Sequence, residues 1–216
     1  MNKEELKMIQ TGEQGIDDAH IDDDDLAWEE IESIHLVQDE WIDFRRLKYK
    51  MPDGKVFEPY YSYSRRNYVV IVAVDTDGNF LCVRQFRQGI RQVTTEFPAG
   101  GIEKKDKEKG SASSGDDKGA ADALTAAKRE LREETGYESE KWQHLLSIAS
   151  NATLADNYAH IFLARDCHRV TEQSLDEMEF LNVLPLPAVR IEEMIKDGEF
   201  QQVVHVTAYL LALRYL

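Results

Sequence analysis

At 216 residues the chain is long enough to bury a core of ordinary domain size. Its formal charge of −15 repels nucleic-acid phosphates, so a DNA- or RNA-coating role is excluded, although a bound cation can reverse the sign locally for a small phosphorylated substrate. No run of about 18 apolar residues is available to span a membrane, and the polar start Met1–Gln14 predicts no secretory signal. Two cysteines make no disulfide framework, and Cys82 sits in the apolar run Phe80–Val83 as a buried thiol would. A reducing cytoplasm is the expected compartment.

In chain order, residues 1–30 read as an acidic, partly disordered tail that includes the run Asp22–Asp25. That run lacks the spacing and Gly turn of a calcium loop, so it reads as solvated surface. Residues 31–66 form a strand-rich extension. There Trp41–Tyr49 mixes apolar and basic residues in near alternation, Pro52-Asp53-Gly54 turns the chain, and Val56–Tyr63 returns it as a hairpin. A larger domain spans 67–216. Tyr68–Val74 is a continuous apolar run suited to a strand buried on both faces, and Thr76-Asp77-Gly78-Asn79 turns it into Phe80–Phe86, its neighbour in one sheet.

Residues 104–120, KKDKEKGSASSGDDKGA, show no apolar periodicity and read as a flexible surface insertion. Asp122 is then the expected N-cap of a helix running to Thr135, with Gly136 as its C′ residue. Ala123, Leu124, Ala127 and Leu131 supply the core stripe of that helix. Strands are expected near Leu145–Ala149, Ala159–Ala164 and Phe180–Leu184. Two helices close the chain, Ala188–Lys196 before Gly198 and roughly Gln202–Leu213. The order implies a mixed α/β domain with helices packed on a sheet.

The chemistry concentrates on the first helix. Glu130 and Glu134 project from one face, about 40° apart around the axis, with Glu133 on the adjoining side. Carboxylates this close repel one another unless a cation neutralises them, and hard divalent ions favour oxygen ligands. Alone, such a cluster is more often a solvated face laced with Arg129 and Arg132. Its neighbours decide the matter. Arg129-Glu130-Leu131-Arg132-Glu133-Glu134-Thr135-Gly136-Tyr137 resembles the second half of the Nudix box, G-x5-E-x7-REUxEExGU, where U is bulky and apolar. Glu96-Phe97-Pro98-Ala99-Gly100-Gly101-Ile102-Glu103 is similar to the E-x-P-A-G-x-x-E opening of that box in the ADP-ribose and nucleoside-diphosphate-sugar pyrophosphatases. Val83-Arg84-Gln85-Phe86-Arg87 resembles the V-x-Q-y-R strand of the same group.

One feature departs from the pattern: the insertion stretches the interval between Gly100 and Arg129. The first Glu of the box falls on Ala121 when counted back from Arg129 and on Asp106 when counted forward from Gly100. In the family that carboxylate supports the loop through the Arg. Either Asp106 or a neighbouring acid replaces it here, or the support is absent.

The resemblance implies a Nudix fold, a mixed β-sheet sandwiched between helices, with an N-terminal β-hairpin extension. It implies a hydrolase that attacks the diphosphate of a nucleoside diphosphate linked to X with water, releasing NMP and X-phosphate. Mg²⁺, with Mn²⁺ as a substitute, would be held by Glu130 and Glu134, assisted by Glu133 and the carbonyl of Ala99. Gly100, Arg129 and Gly136 are the structural residues of the motif. Arg87 is the candidate diphosphate clamp, with Arg84 a weaker one. Tyr61 and Arg66, in the cluster Tyr60–Arg66, are candidates for contacting the base and phosphate. The general base is less well marked, because Ser150–His160 has no Glu and no Pro-Gly turn. Asp156 is its candidate, alongside Glu133 and Glu134; His160 reads as a packing residue. That segment favours a nucleotide sugar as substrate over ADP-ribose or a dinucleotide. The competing class is a nucleotide sensor that does not cut. No nucleic-acid or membrane partner is expected, and the resemblance implies a homodimer that exchanges its N-terminal strands.

Overall fold

Alternation inside one apolar run organises the sheet. In the computed structural model, which describes residues 22–106 and 116–216, the segment Tyr68–Val74 lies within strand β4 (Tyr68–Asp75). Val69, Ile71 and Ala73 face one apolar cluster, and Val70, Val72 and Val74 face another. Successive residues of a strand point to opposite faces, so both faces of β4 are core.

The chain divides into two compact units, one made of the residues up to Ile34 with Arg46–Tyr61 and the other of His35–Arg45 with Ser62–Leu216. Three strands, β1 (Glu29–Gln38), β2 (Asp43–Lys50) and β3 (Val56–Ser64), pair in the order β1-β2-β3. Within the first unit, Trp28, Tyr49, Phe57 and Tyr60 pack edge to face, with ring centroids 5.5–6.3 Å apart. Tyr60 is therefore a packing residue. Asp23–Leu26 forms a single helical turn, α1. Residues 1–21 of the expected acidic tail, and residues 107–115 of the expected insertion, lie outside the described residues, and the end of that tail, Glu29 and Glu30, is the start of strand β1 rather than solvated coil.

In the second unit an eight-stranded mixed sheet is built around β4. Strand β5 (Phe80–Arg87) pairs antiparallel with β4, as the turn between them predicts. Two short strands, β6 (Gln92–Glu96) and β7 (Ala99–Gly101), pair antiparallel with β5 and β4 respectively. Strands β8 (Tyr137–Glu138) and β9 (Lys141–Ala149) pair antiparallel with β10 (Tyr158–Arg169), which runs parallel to β4. Strand β11 (Leu181–Leu186) closes the far edge against β5.

Helix α2 (Asp116–Thr135) covers one face through Ala123, Ala126, Ala127 and Leu131. Helices α3 (Ala188–Asp197) and α4 (Val203–Ala212) cover the other through Ile191, Met194, Val204, Ala208 and Tyr209. The sheet is thus sandwiched between helices, as in the Nudix fold. One correction concerns the start of α2. It begins at Asp116, and Asp122 is a buried residue of its interior rather than its N-cap.

The other end of α2 is where Gly136 was placed. Gly136 adopts φ +75° and donates its N–H to Arg132 O at 2.9 Å, ending the helix in the left-handed conformation. Its carbonyl accepts from Val170 N and Thr171 N, and a Cβ at this position would overlap Thr171 O. Gly136→Ala adds left-handed strain to that overlap and should cost about 2 kcal/mol or more of unfolding free energy. The check is a lowered urea midpoint with an unchanged denaturant slope.

Candidate active site

The site is assembled where β7 runs beside α2. Pairing of Val70 with Ala99 and Val69 with Gly100 fixes β7 along β4, one layer from the helix. At Gly100 a Cβ would overlap the carboxylate of Glu130, so a larger residue there would push that carboxylate out of its present position. Glu134, on the same face of α2, accepts a hydrogen bond from Ala99 N–H at 3.1 Å.

Arg129 links these parts. Its Nε and Nη2 donate to the two carboxylate oxygens of Asp106 at 2.8 and 2.9 Å, and Nη2 also reaches Gly101 O at 3.1 Å. Nη1 donates to Glu130 at 2.8 Å and to Glu133 at 2.9 Å. Asp106 ends a short 3₁₀ turn, Lys104–Asp106, and also accepts from Glu103 N–H at 2.7 Å. Burial opposes its ionisation, but the bonds from Arg129 and Glu103 outweigh this and hold its carboxyl below the usual range. Of the positions left open by the stretched motif, Asp106 is the acid that faces Arg129.

The electrostatics are unbalanced in one direction. Burial pushes the Glu130 carboxyl up to about 7 despite the pull of Arg129. Burial, with repulsion from Glu130, holds Glu134 well above the usual carboxylate range. Among the described residues no three His, Cys, Asp or Glu side chains converge on one point. Glu130 and Glu133 turn to Arg129, and Glu134 turns to Ala99 N–H. Mg²⁺ needs only one or two carboxylates beside waters and substrate oxygens, so Glu134, buried against a backbone N–H, with Glu130 beside it on Arg129, fits such an ion.

A cavity of about 730 Å³ opens beside this cluster, in the second unit. Ala99, Gly100, Arg129, Glu130 and Glu133 form one wall, and Arg87 and Arg66 also reach it. The Arg66 guanidinium lies 5.6 Å from the centre of the Trp41 ring, which lines the same space. Arg87 is paired with the buried Glu96, whose other partners are Gln85, Thr94 and Gln202. Burial raises the Glu96 carboxyl, and Arg87 partly offsets it.

Three of the sequence candidates point elsewhere. Arg84 donates to Thr95 Oγ1 at 2.9 Å and pairs with Glu199, so it is engaged within the protein. Tyr61 belongs to the first unit and lines a small hollow there with Arg46 and Glu58. Asp156 is gripped by Ser64 and by Arg45 at 3.2 Å, and it is not part of the cavity wall. His160, half-buried, bonds Ser147 Oγ at 2.8 Å within the sheet, as its packing role predicts.

Sequence reasoning missed two acids on the segment before β11. Gln173 Nε2 donates to Glu134 O at 2.7 Å and Ser174 N to Glu133 O at 2.9 Å, which ties this segment to the end of α2. It thereby delivers Asp176 and Glu179 to the cavity, and Glu179 adds to the repulsion felt by Glu130 and Glu134. No local motif marks Glu179. Its one signal is an acid in a polar stretch between two strands.

Comparison with known proteins agrees with this geometry. Residues 64–204 match the model of the NUDIX domain. The chain is 33% identical over 150 residues to an ADP-ribose pyrophosphatase of Bacillus subtilis (strain 168), covering 68% of this chain and 70% of that protein. It is 28% identical over 149 residues to the methanol dehydrogenase activator of Bacillus methanolicus, with the same shares of 68% and 70%. The crystal structure of an ADP compounds hydrolase superposes with a TM-score of 0.70 at 19% identity, covering 88% of this chain and 94% of that one, a likeness of fold. The chain belongs to the Nudix family. It is a pyrophosphohydrolase of that family, similar in sequence to its ADP-ribose pyrophosphatases.

Removing the Asp106 carboxylate strips the main partner from a largely buried guanidinium. Asp106→Ala should therefore cost about 3 kcal/mol of unfolding free energy, measured by chemical denaturation. A loss below about 0.5 kcal/mol would show that Arg129 is held well enough by Gly101 O, Glu130 and Glu133 alone.

Proposed function

We propose that this enzyme hydrolyses the diphosphate bond of ADP-ribose with the help of Mg²⁺, releasing AMP and ribose 5-phosphate. The observation that carries the reading is the pair of buried carboxylates Glu130 and Glu134, both held above the usual carboxylate range, with Glu130 on the wall of a cavity that Arg87 also lines. Glu130 and Glu134 would hold the ion, with Glu133 and the Ala99 carbonyl beside them. When bound, the cation offsets charge on the diphosphate and activates water for attack. Arg87 offers Nη1 to the diphosphate, while buried Glu96 holds its Nε and Nη2 and so fixes the orientation of the guanidinium. Glu179 takes the proton of the attacking water on a carboxylate oxygen, a role its place on the cavity wall supports and that of Asp156 does not. Trp41, with Arg66 across its face, offers the flat surface on which a nucleobase stacks.

The preference for nucleotide sugars rested on the missing Glu between Ser150 and His160. Glu179 supplies an acid from another segment, so that ground falls away, and similarity to ADP-ribose pyrophosphatases puts ADP-ribose first. Incubation with ADP-ribose and Mg²⁺ should release AMP and ribose 5-phosphate, and chelation should stop it. If a nucleoside-diphosphate hexose has the higher kcat/KM, the older preference stands. Release from none of ADP-ribose, nucleotide sugars or dinucleotides would overturn the reading.

Within the site, Glu134→Gln keeps the shape and removes the charge, so turnover should fall about 100-fold or more at saturating Mg²⁺ with the fold intact. Glu179→Gln should lower kcat by a similar factor of about 100 while leaving KM within a few-fold, whereas Asp156→Ala should leave kcat within about twofold. A large kcat loss in Asp156→Ala alone would return the base to that residue.

The same reading includes a homodimer. Ile31, Leu36 and Val37 of β1 and Val56 and Phe57 of β3 are each more than 40% exposed, and β1 is exposed along almost its whole length. A second copy is the partner that would cover such apolar strands. Sedimentation at micromolar concentration should give twice the mass of the chain. A monomer at all concentrations would sink this part of the reading.

A further inference from the structure

Histidine 205 is buried, borders the cavity and has no part in the chemistry described above. It sits in the first turn of α4 with a relative exposure of 2%. Its Nδ1 accepts a hydrogen bond from Phe97 N–H at 3.2 Å, and its ring stacks on the Phe97 ring at an interplanar angle of 22°. An acceptor nitrogen carries no proton, so the imidazole is neutral and its proton resides on Nε2. Burial and the nearby Arg87 charge reinforce this, holding the ring down to about 3. Among the described residues Nε2 has no hydrogen-bond partner, while the residue forms part of the cavity wall together with Gln202 and Arg87. An N–H carried by a residue of the cavity wall is available to an acceptor bound in that cavity.

We propose that His205 binds the substrate directly, its Nε2–H donating a hydrogen bond to an oxygen of the bound diphosphate beside Arg87. This rests on the reading of the substrate given above. A neutral donor suits the position. Another cation here would repel both Arg87 and a divalent ion on Glu130 and Glu134, whereas an N–H dipole grips an anionic oxygen without adding charge. The backbone amide of Phe97 fixes the ring, and Phe97 leads directly into Pro98 and Ala99. The donor is therefore held rigidly relative to the metal-side strand, and its loss is felt as lost binding.

Two variants separate the ring's two nitrogens. His205→Asn keeps an acceptor where Nδ1 stands and removes the Nε2 donor. His205→Gln extends an amide toward the Nε2 position and gives up the bond to Phe97. The probe is the α,β-methylene analogue of ADP-ribose, which is not cleaved, titrated calorimetrically. His205→Asn should weaken its binding about tenfold with Mg²⁺ affinity unchanged, and His205→Gln should recover part of that loss. In the wild-type protein, the Nε2–H resonance of ¹⁵N-labelled His205 should move downfield when the analogue binds and keep its Nε2–H tautomer. An unmoved resonance with unchanged binding in His205→Asn would overturn the proposal alone. A wild-type protein that binds no analogue at all would overturn the substrate reading and this proposal with it.

Discussion

The fork of Arg129 is the contact on which the site depends. A guanidinium offers five donors in one plane, and here that plane meets Asp106, Gly101 O, Glu130 and Glu133. Taking such a group out of water is costly unless its donors are all used, and these partners come from three separate stretches of chain. The strand β7, the 3₁₀ turn and the helix α2 are thereby held at one point. Because Asp106 precedes the stretched part of the motif, the ion pair closes the loop between turn and helix directly. The length of chain inside that loop then enters the stability only logarithmically. This is how a box interrupted by residues 107–115 keeps Asp106, Gly101, Glu130 and Glu133 around one guanidinium.

Two buried carboxylates flank the turn at Pro98, and they are treated differently. Glu96 has a guanidinium, two amides and a hydroxyl around it, so its charge is accounted for within the protein. Glu134 has one backbone N–H, with Glu130 and Glu179 adding repulsion. The first acid is a fixture of the fold that aims Arg87. The second is left short of positive charge, which is the state expected of a group reserved for a cation. Helix α4 contributes from the opposite face of the sheet, with Gln202 on Glu96 and His205 on Phe97. The strand between the two acids is thus clamped by a helix on each side.

What could be read from the sequence follows from how local each signal is. The alternating faces of β4, the apolar stripe of α2 and the left-handed Gly136 are written in neighbouring residues, and the structure places each as its pattern predicts. Strands β6 and β7 carry no such signal, since five and three residues hold as strands only because β5 and β4 offer them a ladder. The acidic start of strand β1 was hidden for the same reason: Glu29 and Glu30 read as solvated tail until a partner strand is known. Counting along the chain could not choose between Ala121 and Asp106. Only the folded distance to Arg129 does so, because the choice depends on where a turn and a helix meet. Glu179 was illegible on similar grounds, being brought in by the hold of Gln173 and Ser174 on the end of α2.

On the proposed reading, the cavity's charge balance makes a cation and an anionic substrate bind together. Arg65, Arg66, Arg87 and Arg129 line it, against Glu40, Glu103, Glu130, Glu133, Asp176 and Glu179. Two of those arginines are already paired, Arg87 with Glu96 and Arg129 with Asp106, so little free positive charge faces the space. On the proposed reading a diphosphate entering alone would meet net repulsion, and a divalent ion entering alone would meet only part of its oxygen shell. Each supplies what the other lacks. Their binding free energies are then coupled, and by linkage the ion raises affinity for the diphosphate by the same factor as the diphosphate raises affinity for the ion. The strongly acidic surface of the chain works in the same direction, since it favours cations and leaves substrate recognition to the few donors inside the cavity.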